Sequence, residues 1–355
     1  MSDFVVNRKD IAQTKFIEVK APSLSSGQAL LAVERFALTA NNITYGVAGD
    51  MIGYWKFFPT ISGWGKVPVW GIATVVKSNE AGLVVGDRFY GYFPMSHELV
   101  VSPERISPRG FTDGSAHRAE LPVVYNQYSR VAPENGFNPA FDNHKMVYVP
   151  LFTTSFILDD FFADNKDFGA ATVVIGSASS KTAFGMAFML KQAARVKIVG
   201  LTSAANLSFV QGLGLYDQVK TYDEIESIEA REATAYVDMS GNRDVLVRMH
   251  EHFADKLMAS CAVGITHWRS REGKLLAELP GAKPQMFFAP SQIVKRIKDW
   301  GPVEYQSKLN KATEAFFAEV DGWVTIEEKD FSNLNAVYDD VLNGAPADRA
   351  YVVVL

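Results

Sequence analysis

With 355 residues the chain is long for one hydrophobic core, so two domains are expected. Apolar residues make up 48% and charged residues 21%, which excludes a wholly disordered chain. A net charge of -5 with scattered Lys and Arg argues against a nucleic-acid partner, and a single cysteine, Cys261, excludes a disulfide framework or a multi-cysteine zinc site.

The first residues, MSDFVVNRKD, lack the basic-then-apolar layout of a signal peptide, and no uninterrupted apolar stretch approaches about 18 residues. The expectation is a soluble cytoplasmic protein with no membrane contact.

Residues 1–100 read as short strands broken by turns, with apolar runs at Ala29–Val33 and Gly71–Val76 and Gly/Pro punctuation that suggests a small barrel or sandwich. Glycines 46, 49, 53, 63 and 65 lie among Tyr45, Tyr54, Trp55, Trp64 and Trp70. That stretch reads either as a satellite core or as the wall of an apolar substrate cleft. Residues 101–148 carry Pro103, Pro108, Pro122, Pro133 and Pro139, which preclude long helices. With Tyr125, Tyr128, Phe137 and Phe141 they suggest a binding loop or lid. Pro150–Phe162 reads as a helix.

At Ala171–Ile175 a short run with three β-branched residues predicts a buried strand. From Ala183 apolar residues recur at helical spacing. Between them Gly176, Ser177, Ser179, Ser180, Lys181 and Thr182 are small or polar, and suit a phosphate group at a helix start. The loop lacks the GxGxxG glycines, and a plain hydrophilic turn is the alternative.

Strand and helix then alternate. Strands are expected at Arg195–Thr202, Gln218–Thr221, Ala235–Met239, within Leu257–Thr266 and at Gln285–Phe288, with helices at Asn206–Leu213 and from Asp244 to Phe253. Such alternation predicts βαβ units and a parallel sheet, in which the loop at 176–182 is the first βα turn, where doubly wound folds bind dinucleotides. Residues 291–317 read as two helices broken at Gly301-Pro302, followed by a helix near 333–342 and a terminal strand at Tyr351–Leu355.

Taken together, Gly71–Val76 with Val85–Gly91 (VGDRFYG), Pro150–Thr154 ahead of the loop, Arg195–Leu215, and Asn343-Gly344 before Tyr351–Leu355 resemble the medium-chain dehydrogenase/reductase superfamily. The likeness is to its zinc-free quinone and enoyl reductase branch, with 101–148 marking a divergent subfamily. The resemblance implies an α/β fold: a Rossmann doubly wound sheet inserted in a GroES-like β-barrel domain. Residues 1–150 would form the barrel, 151–290 the Rossmann domain, and 291–355 would return to the first domain, with a cleft between the two.

Zinc members carry Gly-His-Glu-x-x-Gly, where this chain has Lys66-Val67-Pro68-Val69-Trp70-Gly71, and the first-ligand cysteine near Thr39–Asn41 is also missing. No zinc is therefore expected, and hydrogen-bond donors would replace a Lewis acid. At the end of the second strand stands Thr202, followed by Ser203, where NAD-binding relatives have an acidic residue. This favours NADP over NAD, although Asn206 replaces the lysine of the family's NADP pattern; Tyr222 resembles a tyrosine that reaches the 2′-phosphate. The resemblance places Thr153 or Thr154 under the nicotinamide, Ser240-Gly241 and Val263-Gly264 along the cofactor, and Asn42, Tyr45 and Tyr54 near the substrate, with Tyr45 as the acid. The reaction implied is NADPH-dependent reduction of a conjugated carbonyl: an enone, quinone or enoyl thioester. The alternative is a chain that keeps the fold as an inactive ligand- or partner-binding protein. A homodimer paired through the sixth strand is expected from the family.

Overall fold

The alternating segments from residue 171 onward build a six-stranded parallel sheet in the computed structural model, which describes residues 1–51, 53–263 and 279–355. Its strands lie in the order Gln218–Thr221, Lys197–Thr202, Thr172–Ile175, Thr234–Asp238, Leu257–Ala262 and Pro284–Met286. Numbered along the chain this is 3-2-1-4-5-6, the doubly wound order that reverses direction at the first strand. Thr172–Ile175 is central and fully buried, with Val174 beside Val199 and Tyr236, which is why it reads as a continuous apolar run.

The sheet belongs to one compact unit, Tyr148–Val324; the other comprises Met1–Val147 and Thr325–Leu355. Sequence reading expected the chain to return to the first domain from 291, but it does so only from Thr325. The reason is aromatic burial: Phe316, on the helix Pro302–Val320, stacks on Phe152 at 4.4 Å and faces Phe184 at 6.1 Å, both within the second unit.

The first unit is built on a nine-stranded sheet. Ala29–Leu38 and Pro68–Ser78 pair antiparallel, Arg88–Pro94 follows, and Arg349–Val354 closes on the other side of Ala29–Leu38. Thr325–Asp330 adds a parallel edge strand too polar to be legible in sequence. A smaller sheet of Thr14–Glu18, Ser2–Asn7 and Trp64–Gly65 completes the unit.

Three expectations change here. The helix expected at 150–162 runs from Asp142 to Asp164 with Pro150 inside it. Proline forfeits one backbone hydrogen bond, which burial of Phe152, Phe156, Ile157, Leu158 and Phe162 offsets. This helix is apolar and long enough to cross a bilayer, yet 56% of its most apolar window is buried, as in a core helix. Residues 101–148 are not irregular: Pro103–Ser107, Gly110–Asp113 and Gln127–Arg130 extend the large sheet, and Pro133 and Pro139 open short 3₁₀ turns, where a missing N–H does no harm. Finally, Ala40–Val47 is a helix that its Asn, Thr and Gly content hid.

The glycine-rich stretch has a packing cause. A Cβ on Gly49 would fall 2.2 Å from the Trp55 indole, and one on Gly65 would fall 2.3 Å from it. The two glycines are therefore the slot in which a fully buried tryptophan sits.

Candidate functional site

In the second unit, the first parallel strand ends at Ile175 and the helix Lys181–Ala193 begins after a closed turn. Most of the turn's donors are used within the protein. The N–H of Gly176 donates to Val237 O at 2.9 Å, that of Ala178 to Leu201 O at 2.8 Å and that of Ser180 to Ser177 O at 2.8 Å. Ser177 has a left-handed backbone (φ 53°) that turns its N–H to Tyr222 Oη at 3.0 Å. Ser180 is the N-cap, its Oγ accepting from Ala183 N at 3.3 Å. Fewer bare backbone donors remain than the sequence suggested. What the loop presents instead is the side-chain hydroxyls of Ser177, Ser179, Ser180 and Thr182, Lys181 in the first turn, and a helix start whose dipole favours an anion. That donor set suits a pyrophosphate.

Tyr236, fully buried in the fourth strand, fills the space beneath the loop: a Cβ on Gly176 would sit 2.7 Å from its Oη. At the end of that strand Asp238, 1% exposed, accepts through Oδ1 from Ser240 N (3.0 Å), Ser240 Oγ (2.8 Å) and Gly241 N (2.9 Å). Ser240 is thus committed to a turn centred on Asp238. The D-x-S-G pattern is a turn signal that could have been read from sequence.

At the end of the second strand Thr202 is 1% exposed and its Oγ1 is buried without a hydrogen-bond partner. Half-buried Ser203 and Asn206 are the polar groups left there, and Asn206 Nδ2 donates to Ser179 Oγ at 3.1 Å. Burial pushes the Tyr222 hydroxyl up, so it stays protonated while accepting from Ser177 and keeps its own proton to donate. Thr153 returns its Oγ1 to Val149 O at 2.7 Å within the long helix, and Thr154 beside it is half-buried. Gly264 lies outside the described residues. Cys261 is an inert core thiol, pushed by burial up to about 12.

In the first unit a packed aromatic cluster gathers two of the three predicted substrate-side residues. Tyr45 and Tyr54 lie ring to ring at 4.4 Å, and Tyr92, Phe57, Phe58, Trp70 and Tyr125 close around them. Tyr45 Oη accepts from Asn41 Nδ2 at 2.7 Å, and the hydroxyls of Tyr54 and Tyr125 are 3.0 Å apart. Trp70 Nε1 and Tyr92 Oη are buried with no hydrogen-bond partner. Burial, reinforced by neighbouring phenols, pushes Tyr45, Tyr54 and Tyr92 well above the usual phenol range and Tyr125 in the same direction. Every hydroxyl in the cluster is therefore a neutral donor, and none of its members is a base.

Asn42 differs from the expectation. Its Oδ1 accepts from Thr39 N (2.8 Å) and Thr39 Oγ1 (3.0 Å), and its Nδ2 donates to Pro68 O (2.9 Å). It is 3% exposed and caps the Ala40–Val47 helix, a structural duty that absorbs its polar atoms.

Sequence reading undervalued Arg118. This side chain, 1% exposed, pairs with Asp113 at 3.0 Å, donates from Nη1 to Tyr128 Oη at 3.0 Å and from Nε to Phe57 O at 3.2 Å, and lies over the Phe58 ring. Tyr128 in turn donates to Tyr92 O at 2.6 Å, and Asn126 Nδ2 donates to Arg118 O at 3.2 Å. The 101–148 segment carries this buried ion pair within itself and is tied to the aromatic cluster by the Arg118 Nε to Phe57 O and Tyr128 Oη to Tyr92 O bonds, and one of its residues, Tyr125, packs against the cluster.

Among the described residues no group of three or more His, Cys, Asp or Glu is arranged to hold a metal ion.

Residues 36–347 match the family described as a protein of unknown function, DUF2855. The chain belongs to the DUF2855 family. A comparison with curated protein sequences found no match. Among solved structures the chain is similar over its whole length to CurA of Vibrio vulnificus in complex with NADPH (TM-score 0.66, 13% identity, 100% of this chain and 99% of that one). It is also similar to the quinone oxidoreductase of Coxiella burnetii (0.57, 14%, 100% and 99%) and to the yhdH oxidoreductase of Salmonella enterica in complex with NADP (0.54, 13%, 100% and 100%). This member of DUF2855 thus has the fold of the medium-chain enoyl and quinone oxidoreductases, the Rossmann and GroES-like pair that its sequence resembles.

Proposed function

We propose that this chain is an NADPH-dependent, metal-free reductase of a conjugated carbonyl. The observation that carries the reading is the aromatic cluster in which protonated Tyr45, Tyr54 and Tyr125 and the Trp70 indole pack together without a base. Such a set stabilises an oxygen that gains negative charge, the task a Lewis acid performs in zinc relatives. The 3-2-1-4-5-6 sheet and its hydroxyl-rich first turn support a dinucleotide as the second component.

The hydroxyls of Ser177, Ser179 and Thr182 and the helix start at Lys181 would hold the pyrophosphate, and Ser203, Asn206 and Tyr222 the ribose side. The absence of a carboxylate at the second strand's end favours NADP. When bound, NADPH supplies the hydride. Tyr45 then releases its proton to the enolate, and solvent restores it, so one proton is taken up per substrate reduced. A homodimer is part of this reading: Met258, Met286 and Phe288, about half exposed, lie on or beside the two outermost strands on the Pro284–Met286 side.

One observation favours a second reading, a binding protein without turnover: the loop's own N–H groups are largely consumed, and Asn206 is tied to Ser179. Titrating the protein with NADPH, followed by cofactor fluorescence and melting temperature, tests both. No effect at millimolar NADPH overturns the reductase; binding without turnover across enones and quinones leaves the second reading.

A further inference from the structure

A cavity of about 270 Å³ lies within the first unit, between the opening strand Ser2–Asn7, residues 57–59 and the strand Glu98–Val101. Its walls are largely apolar, with Val19, Pro22, Phe57, Phe58, Pro59 and Leu99. Phe57 and Phe58 also belong to the aromatic cluster, so that part of the wall is fixed from behind. The volume falls just under the roughly 300–1,000 Å³ of sites for drug-sized ligands, so an occupant is small.

The charged side chains around it are unequally matched. Lys66 Nζ sits 2.5 Å from Asp3 Oδ2, and this pair, 14% and 8% exposed, is neutral as a whole. Lys20 is exposed at the rim. His97 Nδ1 lies 3.0 Å from Ser2 O, and His117 Nε2 lies 3.1 Å from Phe57 O. Glu98 differs from all of these. Its backbone is fixed opposite Ala32, yet its carboxylate makes no hydrogen bond or ion pair among the described residues. Oε2 is moreover buried, which leaves Oε1 as the oxygen an incoming donor reaches. A carboxylate partly withdrawn from water is costly until a donor completes it, and the residues around the cavity supply none.

We propose that this cavity binds a small primary ammonium with an apolar body, its charge against Glu98 and its body against Val19, Pro22, Pro59 and Leu99. An ammonium brings several N–H donors to a carboxylate that has none, and charge-assisted bonds of this kind are the strong ones. An anion is disfavoured, because Glu98 repels it and Lys66 is committed to Asp3. A neutral ligand leaves the carboxylate's charge unmatched.

The test uses the full-length protein without cofactor and phenethylamine, cationic at neutral pH, with binding followed by calorimetry. Wild type binds the amine, and binds neutral phenethyl alcohol, which has the same ring and chain, at least about tenfold more weakly. Glu98→Gln keeps the shape and removes the charge; it should weaken the amine at least about tenfold and leave the alcohol unchanged. An unchanged melting temperature shows that its fold is intact. Lys20→Glu, at an exposed position, replaces a repelling cation and should tighten the amine about two- to fivefold at low salt. No binding of the amine by wild type at millimolar concentration, equal binding by wild type and Glu98→Gln, or weaker binding by Lys20→Glu overturns the proposal. Neither cofactor nor turnover enters these measurements, so their outcome is independent of the reductase reading.

Discussion

Replacing Arg118 by Met tests how much the buried Arg118–Asp113 pair and the Arg118 bond to Phe57 O contribute to holding the 101–148 segment against the aromatic cluster. Both side chains of the pair are 1% exposed. Removing the guanidinium leaves Asp113 charged and without its partner at 3.0 Å, although Oδ1 keeps donors from Ser102 N, Ser115 N and Ser115 Oγ. It also removes one hydrogen bond each from Phe57 O, which keeps His117 Nε2 at 3.1 Å, and from Tyr128 Oη, which still donates to Tyr92 O, each worth about 1 kcal/mol. Breaking a buried pair from one side costs about 3–5 kcal/mol, and the three surviving donors to Asp113 place Arg118→Met toward the lower end. Urea unfolding followed by near-ultraviolet tyrosine signals measures the loss. Adding Asp113→Asn should restore part of it, because the uncompensated charge disappears while the Ser102 and Ser115 bonds have an acceptor to return to. The cycle should then show a coupling of about 1–3 kcal/mol. A single-variant loss below about 1 kcal/mol, or a double variant as unstable as the summed singles, would refute the reasoning.

Further outcomes follow from the loop and the barrel. Ser180→Asp keeps a competent N-cap but sets a negative charge at the helix start, so the NADPH dissociation constant should rise at least about tenfold, or 1.4 kcal/mol, at unchanged melting temperature; unchanged affinity by fluorescence titration removes the loop from the cofactor site. Gly176→Ala should destabilise by about 1–3 kcal/mol, since its Cβ meets Tyr236 Oη, and Tyr236→Phe in the same chain should relieve much of that loss in chemical denaturation. Glu34 lies in a cluster with Arg88 and Thr74: desolvation pushes its carboxyl up, but hydrogen bonds from both partners and the Arg88 charge outweigh this, so it titrates below 4.5. A depressed folded-state value means stability that is present above the unfolded-state value and lost as pH falls through the folded one. Asp142, which desolvation pushes up, acts in the opposite direction, so comparing wild type with Glu34→Gln isolates the contribution, no more than about 1 kcal/mol given the group's exposure. Unfolding curves of the two that stay parallel through the acid range contradict it.

The sequence by itself determined the doubly wound sheet. Four of its six strands, Thr172–Ile175, Lys197–Thr202, Gln218–Thr221 and Thr234–Asp238, carry β-branched residues, and a central strand such as Thr172–Ile175, buried on both faces, advertises itself as an unbroken apolar run. The break at Gly301-Pro302 was legible because both residues act locally on the backbone. Wherever tertiary contacts overrode local preference, the reading went astray. Pro150 stands inside a helix whose buried flanks outweigh one missing bond, and Ala40–Val47 is helical because Thr39 and Asn42 cap it and Tyr45 is buried. Prolines at strand and turn starts made 101–148 look irregular when it extends the sheet.

The site divides the same way. Tyr45, Tyr54 and the serine-rich loop could be named from residue type and order, because hydroxyl donors and a βα turn are local properties. Tertiary structure alone decided which of them are free to act: Asn42 is consumed as a cap, Thr202 is buried, and Ser240 is bound to Asp238. It alone brought Tyr125, 71 residues beyond Tyr54 in the chain, within a hydrogen bond of it. Pairing at that separation depends on how the sheet and the Arg118–Asp113 pair close in space, and no pattern along the sequence encodes it.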